Sequence, residues 1–402
     1  MNPPSTSVSG DDLLVAWLSA HGDELIGWRR HLHAHPELSY HEYATTDFIV
    51  DRLEEAGLTV RRLESGTGLW CDLGPAGELA GERLVLRADI DALAMNDDKE
   101  VSYCSQTPGV CHACGHDAHM AIMLGVASFF GRHPELVPGP VRVLFQPAEE
   151  VVPGGAVGVI SEGALDGTGA VFGFHCDPKL DVGRVGLRAG AITSAASSAT
   201  IELCGPGGHT ARPEETVDMV TLAARIVNQL PQRVATAVAP GEVKYVFGAL
   251  HAGDAANVIP TRAELKASVR TPDPEVWETL GKIVEAELEQ IMEGSGADAQ
   301  LTYVSGVPPV VNDHALIETV DRAVTMTLGS SAVAETPQSW GGDDFAWYGR
   351  EVPVAYVRLG VHPPDTDQPC RDLHVGDFDL DESAIAVGVR VAVSLVMSYF
   401  AR

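Results

Sequence analysis

Three short β-prone runs set the first limit on what this chain can become. Leu84-Val85-Leu86, Val141-Arg142-Val143-Leu144-Phe145 and Ala170-Val171-Phe172-Gly173-Phe174 are separated by helical stretches such as Ala118–Phe130. Parallel neighbours need a crossover of this length, so the order β-α-β-α-β predicts an α/β fold: a largely parallel sheet with helices on both faces. Two helical patterns come before it, Asp11–Trp28 and His41–Ala56, the second with Phe48, Ile49 and Leu53 at helical spacing.

A chain of 402 residues exceeds one ordinary core, so two domains are expected. Near Gly190–Ser194 the texture turns to small residues, which suggests a hinge. Beyond it, strand Ala199–Leu203, helix Val217–Leu230, strands Glu242–Phe247 and Ala263–Val269, helix Pro274–Glu293 and strand Ala299–Val304 follow one another. This βαββαβ order predicts a ferredoxin-like α+β sandwich. Helix 314–328, strand Val354–Leu359 and helix Glu382–Phe400 return to the first texture. The predicted organisation is therefore a catalytic domain in two parts, 1–192 and 309–402, with 193–308 inserted.

Charge excludes one class of partner. With 27 basic against 56 acidic residues and a net charge of -29, the chain lacks the clustered cations that nucleic acid or an anionic membrane surface requires. Seven thinly spread cysteines do not form a disulfide scaffold. No Lys or Arg precedes Arg29, as a secretory leader would need, and no continuous apolar run reaches the roughly 18 residues of a membrane span. The expected location is the cytoplasm.

Ligands of an open parallel sheet gather beyond the carboxyl ends of its strands, so the residues directly after each predicted strand matter most. After Leu86 come Asp89 and Asp91, after Phe145 come Glu149 and Glu150, and after Phe174 comes His175. Between the first two groups lies Cys111-His112-Ala113-Cys114-Gly115-His116-Asp117-Ala118-His119, the densest run of potential ligands. Taken singly, a histidine after a strand is more often structural, and an acidic pair is more often a solvated edge. Converging on one sheet edge, thiolate, imidazole and carboxylate suit zinc, with manganese, cobalt and nickel as alternatives. Cys114 and His116, two apart, point the same way in extended backbone. His119 falls in the first turn of the next helix and reads as structural. A zinc finger built on Cys111 and Cys114 lacks its second pair.

In the Glu149-Glu150 pair, neighbouring side chains diverge, so one can hold metal while the other takes a proton from water and returns it to a leaving amine. That is metal-assisted amide hydrolysis. No Gly-x-Ser-x-Gly elbow, Walker loop or His-Glu-x-x-His helix offers another route. A thiol mechanism through Cys114 would leave the carboxylates idle.

Four runs, Leu86-Arg87-Ala88-Asp89-Ile90-Asp91-Ala92-Leu93, His112-Ala113-Cys114-Gly115-His116-Asp117, Phe145-Gln146-Pro147-Ala148-Glu149-Glu150 and Gly207-Gly208-His209, resemble the N-acyl-amino acid amidohydrolases. That family includes aminoacylases, hippurate hydrolases and the auxin–amino acid conjugate hydrolases. The likeness extends from Arg30-His31-Leu32-His33 and His35-Pro36-Glu37-Leu38-Ser39 to Asp372-Leu373-His374.

The resemblance implies two divalent metal ions held by Cys114, His116, Glu150, His175 and His374, with Glu149 as general base and Asp91 orienting a ligand histidine. It implies that His209, Asn257 and Arg270 hold the substrate carboxylate or polarise the scissile carbonyl, with His209 serving its own or a neighbouring subunit's site. It also implies that the inserted domain serves as lid and homodimer surface. The substrate would be an N-acyl-L-amino acid carrying an acetyl, benzoyl or longer acyl chain, with glutamine among the amino acids. A dipeptidase or carboxypeptidase using the same site, and a binding protein that kept the fold without catalysis, are the other readings. Ala94, Glu214 and Gly342-Asp343-Asp344-Phe345 depart from the family pattern and bear on acyl preference and docking. The role of Asp89, where carboxypeptidase relatives carry histidine, stays open.

Overall fold

The computed structural model describes residues 10–74, 82–239, 241–364, 366 and 370–401. The chain divides into two compact units, one of residues 1–190, 312–337 and 347–402, the other of 191–311 and 338–346. The segment 338–346, which the sequence reading left with the last part of the catalytic domain, groups with the second unit.

The first unit is built on an eight-stranded sheet in the order Val60–Arg62, Leu69–Leu73, Val141–Gln146, Arg83–Asp89, Thr168–Asp181, Val354–His362, Val185–Leu187, Val333–Glu335. Its four central strands, from Val141–Gln146 to Val354–His362, run parallel. Antiparallel pairings occur only toward the two edges, at Leu69–Leu73 and Val185–Leu187. Arg83–Asp89 and Val141–Gln146 are buried almost throughout rather than alternately, as strands covered on both faces must be. Helix His116–Arg132 is buried along nearly its whole length. It starts at Gly115, whose φ of 86° and closeness to Cys176 (a Cβ would meet Sγ at 2.9 Å) both require glycine.

Helix Ser383–Phe400 bears on the expectation that no continuous apolar run reaches membrane-span length. It has the length and composition of a membrane span, with a mean hydropathy of 1.7, although Arg390 interrupts its apolar run. Half of it is buried, and Ile385, Val389, Ala392 and Val396 belong to the apolar core of the first unit. That packing accounts for its composition.

Beneath the sheet edge, helices Gly10–Ala34 and His116–Arg132 meet in a buried ionic hub. Asp117 accepts from Arg29 Nε and His33 Nδ1, each at 2.7 Å, and Arg29 also reaches Asp379 and Glu382. Burial alone would push His33 down, but the charge and hydrogen bond of Asp117, aided by Asp97, raise it from 6.5 to about 10. A raised histidine stabilises the fold fully below its unfolded value and loses that contribution as pH climbs through the folded one. Wild-type stability should therefore contain a component that fades between pH 6.5 and about 10 and is missing from His33→Gln. Urea midpoints across that window report it; identical pH slopes in the two proteins would refute it.

The second unit carries a four-stranded antiparallel sheet in the order Lys244–Ala252, Arg262–Arg270, Ala196–Cys204, Asp298–Val307. In chain order this is 2-3-1-4, the ferredoxin-like arrangement the element order predicts. Alternate residues Ala199, Ile201 and Leu203 and Ala263, Leu265, Ala267 and Val269 face the helices Met219–Val238 and Pro274–Met292. The first of these helices outruns its predicted end at Leu230 and continues through Pro231. Leu230 and Val234 are both fully buried, and that packing outweighs the one backbone bond a proline forfeits.

Candidate metal centre

The strand-end residues of the first unit converge. His175 lies inside its strand, which runs on to Asp181 beyond the expected end at Phe174; its Nδ1 donates to the Cys176 carbonyl at 2.8 Å, which leaves the Nε2 lone pair facing Cys114 Sγ at 3.5 Å. His116 Nδ1 likewise donates to the Asp91 carbonyl at 2.9 Å and presents Nε2 to Glu150 Oε1 at 3.8 Å and Glu149 Oε2 at 3.9 Å. His374 Nε2 lies 3.4 Å from Cys114 Sγ and 3.6 Å from Glu150 Oε1. Its loop is pinned by a 2.9 Å bond from the His374 amide to the Ala113 carbonyl and turns at a φ of 60°.

The donors fit a cation. Atoms bonded to one zinc at about 2.0–2.3 Å in a tetrahedron lie roughly 3.4–3.7 Å apart, close to these separations. His116 Nε2 and Glu150 Oε1 are buried with no hydrogen-bond partner, a costly state unless something binds them. Burial and the carboxylates of Glu150, Glu149 and Asp89 push the Cys114 thiol up, while His116, despite burial, is lifted to about 10 by Asp89, Asp91 and Glu150. Both shifts report an excess of buried negative charge, which divalent ions would neutralise.

Asp91 bears on His116 through its main chain as well as its charge. The His116 ring bonds its main-chain carbonyl, while its carboxylate stands 3.6 Å away and is occupied elsewhere. Asp91 Oδ1 accepts the Glu149 amide at 3.0 Å, and Oδ2 accepts the Glu150 amide at 2.9 Å and Ser39 Oγ at 2.6 Å. Asp89, left open by the sequence, is an anchor: it binds Arg87 and accepts from His119 Nδ1 at 2.6 Å, with Oδ2 3.6 Å from His116 Nε2. His119 Nε2 accepts the Cys176 amide at 3.0 Å, so both its nitrogens are engaged and it is structural.

In the second unit, His209 and Asn257 come together. His209 pairs with Val258 across a two-residue ladder, and the Thr210 amide donates to the Asn257 carbonyl at 3.4 Å. Both side chains are exposed. Arg270 ends its strand half-buried, bonding Ser268 Oγ at 3.2 Å and the Trp340 carbonyl at 3.3 Å, neither of them an acid.

Residues 85–398 match the model of peptidase family M20/M25/M40. A Rhodococcus jostii protein provisionally named glutamate–cysteine ligase 2-3 is 42% identical over 390 residues, 96% of this chain and 48% of that protein, so the chain spans about half the length of this relative. The N-acetyl-L-cysteine deacetylase of Bacillus subtilis is 38% identical over 370 residues, covering 92% of this chain and 86% of the relative. Among solved structures, the Bacillus subtilis YxeP protein, described as a dinuclear metal-binding peptidase of the M20 family, superposes with a TM-score of 0.83 at 30% identity over 95% of this chain and 99% of its own.

Proposed function

This chain belongs to peptidase family M20/M25/M40 and is a metal-dependent hydrolase, and from that premise we propose that it cleaves the amide bond of N-acyl-L-amino acids, releasing a carboxylate and a free L-amino acid. The observation that carries this reading is the cluster of Cys114, His116 and Glu150, whose ligand atoms lie within 4.8 Å of one another, beside a second carboxylate, Glu149. Cys114, His116, Glu150, His175 and His374 would hold two divalent ions, zinc being the best match to a thiolate-containing set. When bound, such ions polarise the scissile carbonyl and make water easier to deprotonate. Glu149 takes the proton from the attacking water and passes it to the departing amine. Asp91 holds the Glu149 amide and, through its carbonyl, fixes the tautomer of His116.

His209, Asn257 and Arg270 are assigned to the substrate: a guanidinium fork suits the free α-carboxylate of an N-acyl amino acid. The deacetylase name of the Bacillus subtilis relative supports a small acyl group, with benzoyl and long-chain substrates such as N-acyl-glutamine as the wider class. A ligand cysteine must remain reduced, which favours the cytoplasm. Exposed Val246 and Leu250 on the edge strand Lys244–Ala252 support a homodimer through the second unit.

A dipeptidase reading draws on the peptidase description of the structural relative. Metal-analysed protein assayed side by side on N-acetyl and N-benzoyl amino acids and on dipeptides separates the two, since a peptidase must also accept a charged α-amino group. The expected outcome is kcat/KM at least about tenfold higher on N-acyl substrates, one unit of 1.4 kcal/mol in transition-state binding. Turnover should vanish on chelation and return on adding zinc or manganese. Faster dipeptide cleavage, or activity indifferent to chelation, would overturn the reading.

A further inference from the structure

The motif Glu37-Leu38-Ser39 and the residues just after it take no part in the chemistry derived so far, yet they press on the loop that carries the base. Three consecutive amides of that loop are gripped by buried carboxylates: Ala148 N by Glu42 Oε1 at 2.8 Å, Glu149 N by Asp91 Oδ1 at 3.0 Å and Glu150 N by Asp91 Oδ2 at 2.9 Å. Ser39 Oγ in turn bonds Asp91 Oδ2 at 2.6 Å.

Glu42 stands at the N-cap position of helix Tyr43–Glu55, from which a side-chain acceptor can cap the free amides. It does not do so. Glu37 takes the amides of Ala44 and Thr45, at 3.2 and 2.7 Å, and Glu42 turns inward to Ala148 instead. Glu42 is fully buried, and its second oxygen, Oε2, has no hydrogen-bond partner. Burying a carboxyl in this way is unfavourable on its own; the amides of Glu42 itself, Ala148 and Tyr40 offset it, and of these only Ala148 belongs to the loop that carries Glu149.

Ala148 needs that bond. Its φ of 55° lies in the left-handed region, which a residue with a Cβ occupies only when its surroundings hold it there. Two contacts hold it: the Glu42 carboxylate on its amide, and the Gly155 amide on its carbonyl at 2.9 Å. The backbone direction at Ala148 sets the plane from which the next two side chains leave, and hence how Glu149 and Glu150 divide between base and ligand.

Resting on the reading of Glu149 as base, we propose that Glu42 is a positioning residue for the reaction, acting through the Ala148 amide to aim the Glu149 carboxylate. A base misplaced by an ångström loses its efficiency without losing its chemistry.

The test is a set of single and double variants of the full-length, metal-loaded protein, assayed on an N-acetyl amino acid with metal content and Tm recorded for each. Glu42→Asp, which keeps the charge but shortens the reach, and Glu42→Ala should each lower kcat by about 10- to 100-fold, with KM within about twofold and metal content unchanged. Glu42→Gln, whose amide oxygen can still accept from Ala148, should recover most of kcat. In a Glu149→Ala background, Glu42→Asp should have no further effect, because the group it aims is gone.

The proposal is overturned if Glu42→Asp leaves kcat intact, if it lowers kcat equally in the Glu149→Ala background, or if activity falls only in step with lost metal. An unfolded Glu42→Ala leaves the comparison of Asp with Gln to decide. A Glu149→Ala enzyme with full turnover sinks the base itself, and that single variant separates the failure of the base from the failure of Glu42.

Discussion

Glu149→Ala is expected to bind metal as the wild type does and to lose about 10²- to 10⁴-fold in kcat, the range a positioned proton carrier contributes. The expectation rests on the division of labour between two adjacent carboxylates. Glu150 Oε1 faces both His116 and His374, at 3.8 and 3.6 Å, and has no hydrogen-bond partner. Glu149 Oε2 stands 3.9 Å from His116 Nε2, and its amide is tied to Asp91, so its carboxylate is placed beside the donor cluster. Elemental analysis of purified Glu149→Ala and Glu149→Gln, with kcat and KM on the best N-acyl substrate, measures both halves of the statement. If an equivalent of metal disappears with Glu149, it is a ligand and the proton carrier must be sought elsewhere. If turnover survives, no base acts at this position.

The largest stability effect should come from Asp117→Ala, which we expect to cost about 3–5 kcal/mol because two buried cations lose the fully buried carboxylate they share and keep only longer or more exposed partners, Asp379 and Glu382 for Arg29 and Asp97 for His33. Asp117 is fully buried and serves Arg29 and His33 at once, and Arg29 itself is only 1% exposed. Burial on its own would raise Asp117, but the charges of Arg29 and His33 hold it well below the usual carboxylate range. Arg29→Met with Asp117→Leu should recover part of the loss, since apolar replacement of a buried pair is often tolerated. Urea unfolding of chelator-treated protein is the measurement, because Asp117 follows a candidate ligand and metal loss must not be counted as lost folding energy. Arg30→Ala is the contrast. Its salt bridge to Glu382 at 2.6 Å is made by a side chain 47% exposed, and its removal should cost about 0–1 kcal/mol. Equal effects from Asp117 and Arg30 would contradict the hub.

How much of this was readable beforehand depends on how local each signal is. The buried strands of the first unit announce themselves as apolar runs, and because ligands collect where parallel strands end, Glu149 and Glu150 follow from that rule; His175 is picked out by it only because the apolar run ends at Phe174, seven residues before the strand itself ends at Asp181. Cys114 and His116 are legible from their spacing. The short outer strands Val60–Arg62, Val185–Leu187 and Val333–Glu335 have three residues each, too few to show a period. His374 has no strand before it and reaches the cluster only through a left-handed turn and one bond to Ala113, so nothing but family resemblance points to it. Glu42 looks like any acid in an amphipathic helix; its burial and its partner are long-range facts. His119 was legible as structural, while the anchor role of Asp89 required seeing both nitrogens of that ring engaged. Segment 338–346 carries no local mark of the unit it joins.

Cys114 and His374 touch although they stand 260 positions apart in the sequence. A chain being synthesised therefore cannot complete this cluster until the loop carrying His374 has emerged, and an ion caught earlier would meet a partial set of donors. A product that stops short of His374 would therefore lack one donor of the cluster.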